Sequence, residues 1–281
     1  MNKIYLTEVV LLTKSYNLQD FKDWLHWHLD IIGFDHAHIF DNESLVDIKS
    51  VCDSYGDSVS YEKITGWPNQ YALYNRYINN ESKAWWVLPI DDDEFLYVGD
   101  KFENNVNVLI MKLYEKDKSI CKLSIGWRNM FPLEFTEDRG NKSLIENATG
   151  WSNEVCSKIY PIWRQDNRWV KTFTKTIAKW YWGIPYNGGH NPTIGKERVN
   201  SKTIDERVLT GDFVLPPCNN NDLFLAHFQY KSNKEWIMKC TQRKSAANKT
   251  FNKNKPIVYK ELYKYKKEFK EFNEMVKLWN G

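Results

Sequence analysis

Long apolar runs are missing from this chain of 281 residues: no stretch reaches the ~18 consecutive apolar residues of a membrane span. The opening Met-Asn-Lys-Ile-Tyr-Leu-Thr-Glu-Val-Val has no basic region followed by an apolar stretch and a cleavage site. The expectation is a soluble, unprocessed, cytoplasmic protein with no integral membrane segment. Cysteine pairs are missing too. Cys52, Cys121, Cys156, Cys218 and Cys240 are scattered with no C-x-x-C among them, so neither a zinc knuckle nor a disulfide framework is indicated, and reduced thiols fit best. An excess of one charge is also absent. With 39 basic and 36 acidic residues the formal net charge is +3, which does not suggest a nucleic-acid binder. Most of the basic excess falls late, between Lys231 and Lys277. The chain shows no internal repeat, no low-complexity tract and no break in composition. It reads as one domain over residues 1–250, with residues 251–281 a C-terminal helix packed on it.

What is abundant is apolar and aromatic. Hydrophobic residues make up 42% of the chain, enough for a sizeable core. Aromatic residues make up 15%, with 13 Trp, 16 Tyr and 14 Phe; such rings stack on sugars and bases or simply fill cores, and both readings stay open. Residues 4–12 read as a buried strand. A helix follows, capped by Asn17, carrying Leu18, Phe21, Leu25, Leu29 and Ile32 on one face and stopped by Gly33. Strands at 37–40, 58–61 and 84–90 alternate with helices at 46–54 and from Pro68, the latter with Tyr71, Tyr74 and Ile78 on one face. That alternation predicts an α/β fold with a mainly parallel, helix-covered sheet whose ligands bind at the carboxyl ends of the strands. Further strands are predicted around 120–127, 155–163, 170–177 and 223–228, with a helix from Glu235 and a last helix from Pro256 carrying Tyr259, Leu262, Tyr263, Lys266, Phe269, Phe272 and Val276.

The most informative run is Trp85-Trp86-Val87-Leu88-Pro89-Ile90-Asp91-Asp92-Asp93-Glu94-Phe95-Leu96, an apolar strand leading into four carboxylates and back to apolar residues. Packed like charges repel, and buried ones are costly unless a cation or hydrogen-bond donors compensate them. A hard divalent cation with its phosphate ligands is such a compensator. A solvated acidic turn is the plain alternative, but the tryptophans before it and Phe-Leu after it place the carboxylates at the rim of a core.

Two further segments accompany it: Trp24-Leu25 with His28-Leu29 before it, running on through Gly33-Phe34-Asp35-His36 to Asp41-Asn42-Glu43-Ser44 and Asp47; and His227-Phe228-Gln229-Tyr230-Lys231-Ser232 after it, leading to Glu235, Trp236, Lys239 and Arg243. In this order they resemble glycosyltransferase family 92, the galactan-synthase-like nucleotide-sugar transferases of the Rossmann-like GT-A fold, over roughly residues 4 to 245. The resemblance implies a UDP-sugar donor, a glycan acceptor, Mn2+ or Mg2+, and displacement with inversion. It implies Asp91, Asp93 and His227 as metal ligands, and Lys14, Asp41, Asn42, Gln70, Asp91, Asp92 and Lys231 around the donor nucleotide. Lys231 would meet a phosphate as a point charge. Glu94, Trp127 and Arg128 fall to the sugar or the acceptor. Asp166 is the candidate base for the attacking hydroxyl, with His190 on its glycine loop as an acceptor contact or orienter. Two positions depart from the family pattern: Lys14-Ser15-Tyr16 after the first strand, and Arg243-Lys244 at the end of the late motif. The sequon Asn42-Glu43-Ser44 would place a glycan in that nucleotide pocket in a secretory lumen, which again favours the cytosol.

Several of these residues also have structural readings: His227 as a hydrogen-bonded core histidine, Lys231 as a solvated lysine at a helix start, Asp41 as a cap for the segment after it, Glu94 as a support. The rival functions are a phosphohydrolase or nuclease using the same carboxylates in a two-metal site, and a non-catalytic carbohydrate-binding module whose tryptophans hold glycan. Galactose and xylose lead as donor sugars, with glucose and rhamnose behind.

Overall fold

A computed structural model of the chain describes residues 4–66, 70–116, 118, 122–152, 170–175, 180–181, 193–194, 201–202, 208–209, 221–241 and 260–281. The predicted strand at 155–163, Pro68 and Pro256 fall outside the described residues. The chain divides into two compact units, residues 1–126 with 168–225, and residues 127–167 with 226–281.

In the first unit, β1 (Tyr5–Thr13), β2 (His36–Asp41), β3 (Val59–Lys63) and β4 (Ala84–Ile90) form a parallel sheet in the order β3-β2-β1-β4. The predicted α/β architecture with a parallel central sheet is therefore present. Leu11 stands opposite Ile39 on one side and Ile90 on the other, and Val9, Val10 and Leu11 have no solvent exposure, as strands covered on both faces require. The helix α1 (Leu18–His26) begins where predicted, with the Asn17 side chain accepting from the Gln19 and Asp20 N–H groups. From Trp27 to Ile31 it widens into a π-turn. That widening rotates the buried stripe: Trp24, Trp27 and His28 are sealed inside, while Leu29 of the predicted face is only half-buried. Gly33 ends the segment at φ +79°, where an added Cβ would lie 2.5 Å from the Asn105 amide.

The helices α2 (Ile48–Ser54) and α3 (Gln70–Asn80) fall at their predicted places. Tyr74, Tyr77 and Ile78 of α3 pack with Val10, Phe40, Ala84 and Val87 of the sheet. A polar knot sits at that buried face: the Glu8 carboxylate accepts from Tyr77 OH and Ser82 Oγ at 2.6 Å each and pairs with His36 Nδ1 at 2.7 Å. After the acidic turn, β5 (Glu94–Val98) and α4 (Val106–Lys116) follow. Beyond β4 the sheet continues with antiparallel β8 (Val170–Lys175) and the first half of β6 (Lys122–Phe131), then the short β11 (Ser201–Lys202) and β12 (Val208–Leu209). The strand β5 pairs with β13 (Leu223–His227), and β9 (Trp180–Tyr181) with β10 (Thr193–Ile194) forms a separate ladder.

In the second unit the latter half of β6 pairs antiparallel with β7 (Gly150–Trp151), which pairs with β14 (Lys270–Glu271). Phe131, Tyr230, Trp236 and Leu262 form its core, with Tyr263, Tyr265 and Phe269 packed against them. A capping box of Ser143 and Glu146 starts the short α5 (Leu144–Asn147). The helix predicted from Glu235 is α6 (Asn233–Thr241). The single helix predicted to the end of the chain is instead broken. A 3-10 segment runs over Tyr263–Glu268, Phe269 turns extended, Lys270 and Glu271 join the Trp151 ladder, and α7 (Glu274–Asn280) resumes. The aromatic spacing looked helical, but docking Phe269 against Phe131 and the gain of ladder hydrogen bonds outweigh it. Among the described residues no helix is long and apolar enough to cross a membrane.

Candidate functional site

In a sheet of order β3-β2-β1-β4 the direction of winding reverses between β1 and β4, and the crevice outside the carboxyl ends of those two strands is where such sheets bind ligands. Thr13 ends β1, Asp41 ends β2 directly opposite it, and Asp91 follows the last residue of β4. Across this switch point the Thr13 hydroxyl donates to Asp92 Oδ2 at 2.8 Å, and the Asn42 N–H donates to the Thr13 carbonyl at 2.7 Å. The predicted residues Lys14, Asp41, Asn42, Asp91 and Asp92 thus share one rim. Gln70, at the start of α3, joins them by donating to Asp91 Oδ1 at 3.3 Å and to Tyr74 OH at 3.0 Å.

The acidic run is a tight turn at the edge of the core. Asp93 is 4% exposed and Glu94 0%, whereas Asp91 and Asp92 are half-buried. Glu94 holds the turn from within: its Oε2 accepts the Asp91 N–H at 2.8 Å, and its own N–H donates to the Asp91 carbonyl at 3.1 Å. This is the supporting role left open by the sequence.

Asp41 shapes the loop after β2. Its Oδ1 accepts the Ser44 N–H at 2.8 Å and its Oδ2 accepts the Tyr61 hydroxyl at 2.6 Å. Burial, and next the Asp41 carboxylate, push the Tyr61 phenol well above its usual range, so it stays a donor. The cap of α2 is Asp47, which accepts the Ser50 N–H, so Asp41 caps the turn and not the helix. Within that turn Glu43 sits at φ +57°, a left-handed conformation rare outside glycine and asparagine. Ser15 stitches the loop to the end of β1, its N–H donating to Ser44 Oγ and its carbonyl accepting the Leu45 N–H. Asn42 Oδ1 is buried with no hydrogen-bond partner among the described residues, a state costing about 1–3 kcal/mol.

In the second unit, His227 is 6% exposed, its Nδ1 lies 2.9 Å from Asn129 Oδ1, and its ring lies 4.4 Å from that of Trp127. Arg128 is 2% exposed with its guanidinium 4.2 Å from the Trp151 ring and 5.2 Å from Phe272. Both distances are those of cation–π contacts, which tie Arg128 of β6 to Trp151 of β7 and to Phe272. Lys231 is half-buried, and its carbonyl accepts from Asn147 Nδ2 at 2.6 Å. Ser232 and Glu235 of the late motif act structurally: Ser232 Oγ accepts the Glu235 N–H and donates to its carboxylate, which also pairs with Arg139 at 2.9 Å. Asp166 and His190 lie outside the described residues.

Oxygen donors of the kind Mg2+ and Mn2+ take are gathered at Asp91–Asp93, so the chemistry of the donor set fits such an ion. Among the described residues no three His, Cys, Asp or Glu side chains converge as a preformed metal cage. An ion that arrives with a diphosphate needs only one or two carboxylates from the protein. Sequence reasoning missed Thr13, Tyr61 and Asn129. Only Thr13 left a signal, as a hydroxyl closing a buried apolar strand.

No family model matches the chain, and no curated protein matches it in sequence. Solved structures similar to parts of it include Staphylococcus aureus TarS 1-349 in complex with UDP, at 12% identity and a TM-score of 0.35, covering 61% of this chain and 47% of that one. Others are 4-diphosphocytidyl-2C-methyl-D-erythritol synthase from Anaerococcus prevotii, at 11% identity and a TM-score of 0.29, covering 48% and 60%, and the manganese complex of Rv0371C from Mycobacterium tuberculosis, at 12% identity and a TM-score of 0.27, covering 45% and 65%. The matches span less than two thirds of each of these proteins. At these TM-scores the likenesses carry no argument for function.

Proposed function

We propose that the protein is a GT-A glycosyltransferase of the family 92 kind, moving a hexose or pentose from a UDP-sugar to a hydroxyl of a glycan with inversion. Galactose and xylose are the leading donor sugars. The observation that carries the reading is the acidic turn at the β1/β4 switch point, tied to the end of β1 by the Thr13–Asp92 hydrogen bond.

Asp91 and Asp93 would hold Mn2+ or Mg2+, which when bound supplies charge stabilisation for the departing nucleoside diphosphate. Asp92, kept by Thr13, and Gln70, which donates to Asp91, orient those carboxylates. Lys14 and the Asp41-Asn42 loop are assigned to the nucleotide. Both Asp41 oxygens already have donors, so its part is to shape the loop, and the hydrogen bonds to the nucleoside fall to Asn42 and backbone groups. By the family resemblance, Lys231 is assigned to a phosphate, His227 to the set of metal ligands, and Trp127 to sugar or acceptor. Arg128 supports the strand that carries Trp127. Asp166 is the proposed base and His190 the proposed acceptor contact.

Thermal shifts with UDP, UMP, free glycans and Mn2+ in combination test the proposal, since a ligand that binds only the folded state raises its melting temperature. UDP stabilisation that requires manganese is expected. Stabilisation by glycan alone marks a carbohydrate-binding module, and undiminished UDP affinity in EDTA removes the metal from the scheme. A donor panel read by UDP release then names the sugar.

A further inference from the structure

The strand β5 leaves the acidic turn with one edge paired to β13, while α1 meets backbone groups of the turn and strand with three aromatic side chains. The Trp24 indole N–H lies 3.2 Å from the Asp91 carbonyl and 3.0 Å from the Glu94 carbonyl, so a single donor bridges both ends of the turn. The Trp27 N–H donates to the Leu96 carbonyl at 2.7 Å, and His28 Nε2 accepts the Leu96 N–H at 3.2 Å. His28 Nδ1 in turn donates to the Trp24 carbonyl at 2.8 Å. Glu94 and Leu96 are two residues apart, the spacing at which strand backbone groups return to one edge, and helix positions 24, 27 and 28 form one face. The three side chains have no exposed surface. His28 here needs the neutral ring with the proton on Nδ1, and burial agrees by lowering its pKa to about 3.

Buried indoles need acceptors in any fold, so packing alone would explain one such bond. It does not explain why a single N–H should take the two carbonyls that bracket Asp92 and Asp93, or why the helix widens at Trp27, where the next two buried side chains both reach Leu96.

We propose that Trp24, held by His28, is a positioning residue for the acidic turn, setting the direction in which Asp91 and Asp93 present their carboxylates to a metal-bound diphosphate. The inference rests on the function proposed above. Its test uses Trp27→Phe as a matched control, because that variant also loses one buried indole donor to a backbone carbonyl, but past the turn. UDP binding is titrated with Mn2+ by calorimetry in wild type, Trp24→Phe and Trp27→Phe, with melting temperatures measured alongside. Trp24→Phe should raise the Mn2+ concentration at half-saturation about tenfold, the loss of order one buried hydrogen bond, while Trp27→Phe loses a similar melting temperature with manganese dependence unchanged. Should Trp24→Phe fail to fold, His28→Phe, which strips the donor from the Trp24 carbonyl, takes its place with the same expected shift. Equal manganese dependence in all three proteins overturns the positioning role, as does an equal shift in Trp27→Phe. Absence of manganese-dependent UDP binding in wild type overturns the function itself.

Discussion

Replacing Thr13 by valine removes one hydroxyl and keeps the shape of a residue that is 3% exposed at the end of β1. The bond lost is the 2.8 Å donation to Asp92 across the switch point. A hydrogen bond to a charged group contributes about 1.5–3 kcal/mol, and the half-buried state of Asp92 puts this one near the low end, ~1.5 kcal/mol. At roughly 2–4 °C per kcal/mol for a protein of this size class, the melting temperature should fall by about 3–6 °C. The functional loss should be of the same order. If the bond holds the acidic turn in its binding geometry, the affinity for UDP at saturating manganese falls about tenfold, which corresponds to ~1.4 kcal/mol. Calorimetric titration of UDP into wild type, Thr13→Val and Thr13→Ser reads this directly, and serine, which keeps the hydroxyl, should recover most of the affinity. Valine with wild-type affinity and a lowered melting temperature would show that the bond stabilises the strand end and has no part in the site.

Glu8→Ala removes the acceptor of His36, Tyr77 and Ser82 from a fully buried position and should cost about 3–5 kcal/mol, read by chemical denaturation; a loss below ~1 kcal/mol would mean the knot contributes little. His38 is buried against Tyr77 and Phe40, and burial, then His36 and Arg76, lower its pKa to about 3 from an ordinary value near 6.5. The unfolded chain therefore takes up a proton below pH ~6.5 that the folded one refuses, and stability falls with pH. Its share is about 2 kcal/mol lost by pH 5, and His38→Phe should flatten the pH dependence between 6.5 and 4.5, with an unchanged slope assigning it elsewhere. Lys231→Met should lower kcat more than it raises the donor KM, since a phosphate contact helps most as the leaving group gains charge; an effect on melting temperature alone would return Lys231 to a structural role at the start of α6.

The sequence by itself determined the alternation of apolar strands with amphipathic helices through Ile90, because each of those segments carries its own period and its own punctuation, Asn17 and Gly33 among them. It also marked the acidic turn, because four carboxylates between apolar flanks are a local anomaly. Tertiary structure decided the rest. Parallel pairing set Asp41 beside Thr13, and the parallel pairing of β1 with β4 gave Asp92 its partner 79 residues away, contacts that no local period encodes. The C-terminal segment reads as one helix because spacing reports only local preference, and long-range docking of Phe269 and pairing with Trp151 overrode it. For the same reason the sequence left the indoles of α1 open between stacking and core filling: which backbone carbonyls their N–H groups reach, 67 to 70 residues along the chain, is fixed only when the helix lies against β5.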